Sequence, residues 1–207
     1  MTTSIVPKAR PEMGRHAAEA LLAALGLDLS RPAILGRRGY YRDTMGVVGE
    51  NDIGIYDDAL ILVSPTAYVT FNANCDPARH HPGVATLKAG VWRYKIGVHN
   101  QSKDPALHPH YKALVQAAPV TVIRDPDTSH AERWDDTGMF GINHHRGSYH
   151  STSSEGCQTV YPDQYDAYIT LVESEMSRYG LAEISYALTE RDAMHVRMAA
   201  PSTLSMQ

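Results

Sequence analysis

The chain predicts a β-rich α+β fold, and three observations carry that expectation. Short runs of β-branched and aromatic residues recur between residues 59 and 124, several of them alternating with polar ones. An amphipathic helix is written near each end, over Pro11–Leu27 and again after Pro162. Turn signals such as Ser64-Pro-Thr66 and Lys88-Ala-Gly90 separate the β-prone runs. At 207 residues, 43% hydrophobic and 20% charged, the chain has the size and composition of one ordinary domain with a real core. The expected division is a helical extension and linker over 1–50, a main domain over 51–190 and a tail over 191–207.

Within Pro11–Leu27, the residues Ala17, Ala20, Leu21, Ala24 and Leu25 share a stripe, and Gly26 stands where a helix would stop. Ser30-Arg-Pro and the glycine after Arg37 and Arg38 read as a linker with solvated arginines. Ala59–Val63 and Ala67–Phe71, joined by Ser64-Pro-Thr66, read as a hairpin. Asn72–Gly83 is a polar loop, in which Cys75 is expected as an incidental surface or loop thiol. Gly83–Leu87 and Val91–His99 are expected to pair across a turn at Lys88–Gly90. In the second of these, Trp92, Tyr94, Ile96 and Val98 form a buried face and Arg93, Lys95, Gly97 and His99 a wet one. Ala113–Ala118 and Pro119–Arg124 are further strand, followed by a turn-rich surface loop from Asp125 to Arg133. After Pro162, the residues Tyr165, Tyr168, Ile169, Val172, Met176 and Tyr179 recur at helical spacing until Gly180. Glu183–Leu188 is expected as an edge strand, and Ala199–Gln207 as a frayed end.

The chemistry concentrates between Phe140 and Thr159. Taken as a strand, Met139–His145 puts Phe140, Ile142 and His144 on an apolar face and Gly141, Asn143 and His145 on a small, polar one. His145 is then the better base and His144 an interior histidine. The eleven residues from Arg146 to Gly156 are enough to fold back and bring Cys157 beside His145. A thiolate is the reactive form of cysteine, and a nearby imidazole is expected to ionise it at neutral pH. Gly156 before it allows a sharp turn, with neighbouring N–H groups free to face an oxyanion.

His145-Arg-Gly147 followed by Ser154-Glu-Gly-Cys157 resembles the signature of L,D-transpeptidase (YkuD-type) catalytic domains, which carry His-Gly or His-x-Gly, a loop, and Ser-x-Gly-Cys. Ala85–Trp92 is a loose counterpart of that family's Thr-Pro-x-Gly-x-Phe-like segment, so the resemblance runs over about Ile53–Gln158. It implies a β-rich mixed sheet or sandwich in which a cysteine attacks a peptide carbonyl of a peptidoglycan stem. The resulting thioester is resolved by an amine or by water. By position, Cys157 is the nucleophile, His145 the base, and Ser154 and Gly156 the loop residues shaping the oxyanion site. Arg146, His99 and Tyr149 are the expected substrate-binding side chains. Ile96-Gly-Val-His99 also ends a strand in histidine, but no Ser-x-Gly-Cys follows it, so His99 ranks below His145 as base. Gln158 and Thr159 stand where the family has a branched aliphatic residue and arginine. Glu155 stands where it often has histidine, and Arg146 separates His145 from its glycine.

Nineteen basic against twenty-three acidic residues give a net charge of −4 with no basic run, which argues against nucleic acid as a partner. No apolar run reaches the ~18 residues of a membrane span, and no Gly-rich phosphate loop suggests a nucleotide cofactor. No cofactor and no metal is expected. Eleven histidines, among them His80, His81, His108, His110 and His150, keep a zinc-dependent peptidoglycan hydrolase as an alternative, although their spacing matches no zinc motif. A non-catalytic cell-wall-binding or virion module is the other alternative. The first ten residues contain no signal-peptide core. A protein made in the cytoplasm and acting at the wall would then need phage lysis or effector delivery machinery, and delivery as an effector would bring an immunity partner. Cys75 and Cys157 are too few for a disulfide framework, though they could pair with each other.

Overall fold

Strands that each need one face hidden can bury those faces together if their sheet closes on itself. The computed structural model, which describes residues 12–191, has that architecture. Helix α1 (Arg15–Ala24) is followed by strands β1 (Ala33–Arg38), β2 (Asp58–Val63), β3 (Tyr68–Asn74), β4 (Ala85–Leu87) and β5 (Gly90–His99). Strands β6 (Tyr111–Gln116), β7 (Val120–Arg124), β8 (Trp134–Gly138), β9 (His144–Arg146) and β10 (Gln158–Val160) come next. Helix α2 (Pro162–Arg178) and strand β11 (Ile184–Glu190) complete it. Eight strands close a barrel in the order β1-β11-β5-β6-β9-β10-β3-β2, and β4, β7 and β8 form a separate three-stranded sheet. The pairs β1–β11 and β9–β10 are parallel; the other barrel pairs are antiparallel. The β-rich α+β expectation therefore holds. No helix among the described residues is long and apolar enough to cross a membrane.

The core lies where α2 meets the inner faces of the barrel strands. Tyr165, Tyr168, Ile169, Val172 and Met176 pack with Leu60, Leu62, Tyr94, Leu114 and Tyr186. Each such side chain contributes about 1.5–3 kcal/mol of burial. A second cluster lies outside the barrel, where Ala18, Leu21 and Leu22 of α1 cover Leu35, Ile61 and Ala187. Gly26 ends the α1 segment in the left-handed region at φ 78°, and Gly180 does the same after α2 at φ 61°.

Several expectations are corrected. The stretch expected as a linker contains β1, all six of whose residues are buried because α1 covers one face and the core the other. Arg37 and Arg38, expected to be solvated, are each only 5% exposed. Glu183–Leu188 is not an edge: β11 runs between β1 and β5. The strands on either side of Lys88–Gly90 do not pair, because β4 joins β7 in the small sheet while β5 enters the barrel. Trp134–Gly138, expected within a loop-rich region, pairs with β7 as β8. Cys75 is fully buried in the core; its N–H donates to Asp58 at 2.6 Å, and its sulfur lies 3.6 Å from the Tyr186 hydroxyl. Both cysteines are free thiols. The tail expectation from Ala199 onward lies outside the described residues.

Candidate active site around Cys157

The strand expected over Met139–His145 is shortened at its start, because Gly141 takes φ 74° and regular pairing begins only at His144. Gln116 holds the irregular part in place. Its Oε1 accepts from the N–H groups of Phe140 (3.0 Å) and Ile142 (2.8 Å), and its Nε2 donates to the Gly138 carbonyl (3.1 Å). The parallel register of β9 and β10 then sets Gln158 beside His144 and Thr159 beside His145. One step earlier, Cys157 stands beside Asn143. Its Sγ accepts from the Asn143 N–H at 3.4 Å and donates to the Gly141 carbonyl at 3.4 Å.

Alternation decides the two faces. His144 points inward: it is fully buried, its Nδ1 lies 2.7 Å from the Tyr168 hydroxyl, and its ring packs 4.5 Å from that of Tyr94. Gln158 also points inward, with Oε1 accepting from Tyr186 at 2.7 Å. Asn143, His145, Cys157 and Thr159 consequently share the opposite face of the sheet. Cys157 is half-buried there and lines a cleft of about 620 Å³ together with His99, Lys103, Asn143 and Phe140.

His145 is only 5% exposed, and its Nδ1 lies 2.9 Å from the Arg146 carbonyl. A carbonyl only accepts, so Nδ1 carries the proton and Nε2 is the acceptor in the neutral ring. His99, at the end of β5, stacks on His145 with centroids 4.1 Å apart and planes at 22°. His99 is thus the cleft wall, with His145 packed behind it. Burial, helped by the Lys103 charge, pushes His145 down to about 4. Burial and the neighbouring His145 push His99 down to about 4. Burial pushes the Cys157 thiol up to about 11, the Asn143 N–H opposing it. Burial thus works against the resting thiolate expected from the sequence and favours a neutral thiol beside neutral rings.

Ser154 and Gly156 shape the loop. The Ser154 hydroxyl donates to the Cys157 carbonyl at 2.7 Å and accepts from the Gly156 N–H at 3.0 Å, so that N–H is already engaged and does not face the cleft as an oxyanion donor. Gly156 adopts φ 119°, and a Cβ there would lie 2.2 Å from the Ala85 carbonyl oxygen. Gly156→Ala is expected to cost roughly 2–4 kcal/mol, because backbone strain and displacement of β4 both oppose it. Urea denaturation checks this; an unchanged midpoint would contradict the close approach. Glu155 lies 2.6 Å from His81 Nε2, which raises the His81 pKa.

Arg146 and Tyr149 are not brought to Cys157. They line a second hollow of about 520 Å³ beside Asp163 and Asp166 at the start of α2, where the Tyr149 hydroxyl bonds Asp163. The structure adds Lys103 and Gln116 to the cleft, which sequence reasoning missed. Asn100 with φ 60° opens the loop that carries Lys103, and asparagine in a turn was the one available signal. Among the histidines considered for zinc, His80 pairs with Asp125 at 2.6 Å and His110 Nε2 lies 2.9 Å from the Lys103 carbonyl. No group of three or more His, Cys, Asp or Glu side chains gathers as metal ligands would among the described residues. Compared with known proteins, the chain matches no family model, no curated protein and no solved structure.

Proposed function

We propose that this protein is a cysteine acyltransferase or peptidase of the L,D-transpeptidase type, acting on peptidoglycan stem peptides through a thioester at Cys157. The observation that carries the reading is a thiol on a cleft floor that shares its sheet face with a histidine whose tautomer is set by a carbonyl. The resemblance of His145-Arg-Gly147 and Ser154–Cys157 supplies the substrate class, and is the basis for reading the barrel as a variant of that family's mixed sheet. His145 is the base rather than His99, because its Nδ1–H is tied down whereas Nδ1 of His99 has no hydrogen-bond partner.

In this mechanism the Cys157 S–H proton passes to Nε2 as sulfur bonds the stem carbonyl carbon. The imidazolium then returns the proton to the departing amine as the C–N bond breaks, leaving the thioester. An amine of a second stem, or water, attacks that thioester and frees the thiol. Delivery machinery or an immunity partner belongs to the same proposal, with action at the cell wall. The direct test incubates the protein with purified muropeptides and follows shortened, crosslinked or Cys157-bound products by mass spectrometry. Intact substrate across wall types would count decisively against it.

The upward push of burial on the Cys157 pKa favours a second reading, a non-catalytic wall-binding or virion module. At a pKa of about 11, only about one thiol in 10⁴ is ionised at pH 7. Alkylation of Cys157 by iodoacetamide should therefore climb about tenfold per pH unit from 7 to 10, since thiolate is formed as pH rises. Peptide mapping separates it from the buried Cys75. A plateau below pH 8 would mean the thiol is ionised at rest, and turnover of muropeptides decides between the two readings.

A further inference from the structure

Under the loop that leads to Cys157, four enclosed side-chain oxygens have no hydrogen-bond partner among the described residues: Asp57 Oδ1, Asn74 Oδ1, Thr152 Oγ1 and Thr159 Oγ1. Each of the four residues is fully buried. The strand register groups three of them. Thr159 of β10 lies opposite Asn74 of β3. The β2–β3 ladder reaches Asp58 opposite Ala73, so the next step sets Asp57 beside Asn74. Ala73 is in the core, which puts Asn74 and its row on the outer face of the barrel. The loop brings the fourth. Tyr56 donates to the carbonyls of Ser148 (2.7 Å) and Ser151 (3.1 Å), and the Ala78 N–H donates to the Ser154 carbonyl (2.8 Å). Residues 151–154 are thereby pinned at both ends, to Tyr56 beside Asp57 and to Ala78 beyond β3, with Thr152 between the pins.

All four atoms can accept, and only the two threonine hydroxyls can also donate, so the carboxylate and amide oxygens set the chemistry of the group. A carboxylate oxygen and an amide oxygen are acceptors only, and buried neighbours of that kind need a positive partner. The second Asp57 oxygen already accepts from the Asp52 N–H at 2.8 Å. Burial, with the charges of Asp76 and Asp52, pushes the Asp57 pKa upward, the direction expected where positive charge is lacking. Arg38 does not fill this role, being engaged by Asp76 at 2.8 Å and Glu190 at 2.7 Å. The donor set is all oxygen, with no nitrogen or sulfur, which is the chemistry of hard cations. One buried carboxylate with three buried neutral oxygens suits an ion that sheds its water readily, unlike magnesium.

We propose that Asp57, Asn74, Thr152 and Thr159 form a site for a hard cation of calcium or sodium size, which ties the loop ahead of Cys157 to the barrel. The site is independent of whether Cys157 is a nucleophile. The test uses the full chain, stripped with chelator and held at constant ionic strength in choline chloride. Thermal melting is followed against calcium, sodium and magnesium chlorides separately. Calcium or sodium should raise the midpoint saturably, by roughly 5–10 °C at a hundredfold excess over the dissociation constant, with magnesium weaker. Asp57→Asn should remove most of that rise. Thr159→Val, which keeps the shape and removes one oxygen, should reduce it and serves where Asp57→Asn fails to fold. Equilibrium dialysis with calcium, and sodium resonance linewidths, identify which ion binds. The proposal is overturned by the absence of any saturable rise and of any bound ion, or by a rise of equal size in the folded variants.

Discussion

Cys157→Ala should abolish processing of purified muropeptides, with a fall of at least about 10⁴-fold, because loss of a nucleophile leaves only residual catalysis from binding and oriented dipoles. His145→Ala should lower kcat by about 10²–10⁴-fold, the usual range for a positioned general base. His99→Ala should act differently. Its ring covers His145, and burial is the main cause that pushes the His145 pKa down from 6.5 to about 4. Uncovering His145 should move the acidic limb of kcat/KM upward from about 4 toward 6.5. The rate at pH 5 then falls, because the base becomes protonated there, while the rate at pH 8 changes little. Profiles of kcat/KM against pH for both variants check this. Should His99→Ala remove activity at every pH and His145→Ala spare it, the base is His99, and His145 only packs behind it.

How much of this was legible depends on whether an element has a wet face. Helix α2 was readable because Tyr165, Tyr168, Ile169, Val172 and Met176 repeat at helical spacing against exposed neighbours such as Asp166 and Ser174. The opposite facing of His144 and His145 was readable because alternation survives even in a three-residue strand. Strand β1 was not, because both its faces are covered and its Arg37 and Arg38 look like surface residues. Burial on both sides erases alternation, leaving only a short run that resembles a connector. Strand β11 was misplaced to an edge for the same reason. In β8, a strand of Trp-Asp-Asp-Thr-Gly is held by the Arg124–Asp136 ion pair and the Thr121–Thr137 hydroxyl contact, polar pairings that leave no apolar signature. Cys75 sits between Asn74 and Asp76, which read as a polar turn, but the fold buries all three. The upward push of burial on the Cys157 pKa was illegible because desolvation belongs to the assembled cleft and to no residue within it.

Arg38→Ala should be the most damaging single change to stability, at about 3–5 kcal/mol. The guanidinium is almost wholly buried. Its Nε meets Asp76 at 2.8 Å and its Nη1 meets Glu190 at 2.7 Å, while Nη2 donates to the carbonyls of Cys75 (2.9 Å) and Leu87 (2.8 Å). One side chain thus joins the end of β1 to the end of β3, to β4 and to β11. Burial works against its charge, but Asp76 and Glu190 more than offset this and hold its pKa above the ordinary range. Removing it leaves Asp76 buried without its cation and Asp58 nearby, itself pushed upward by burial and by Asp76. Arg38→Lys keeps the charge but cannot reproduce a planar fork over these partners, so it should fall between wild type and alanine. Pairing Arg38→Met with Asp76→Asn should recover part of the loss, because most of the cost is the unpaired carboxylate rather than the missing attraction. Urea denaturation of the series measures this. A loss under about 1 kcal/mol for Arg38→Ala would mean that the strand ends are held by packing alone, and that the negative charge under the Cys157 loop needs no fixed counterion.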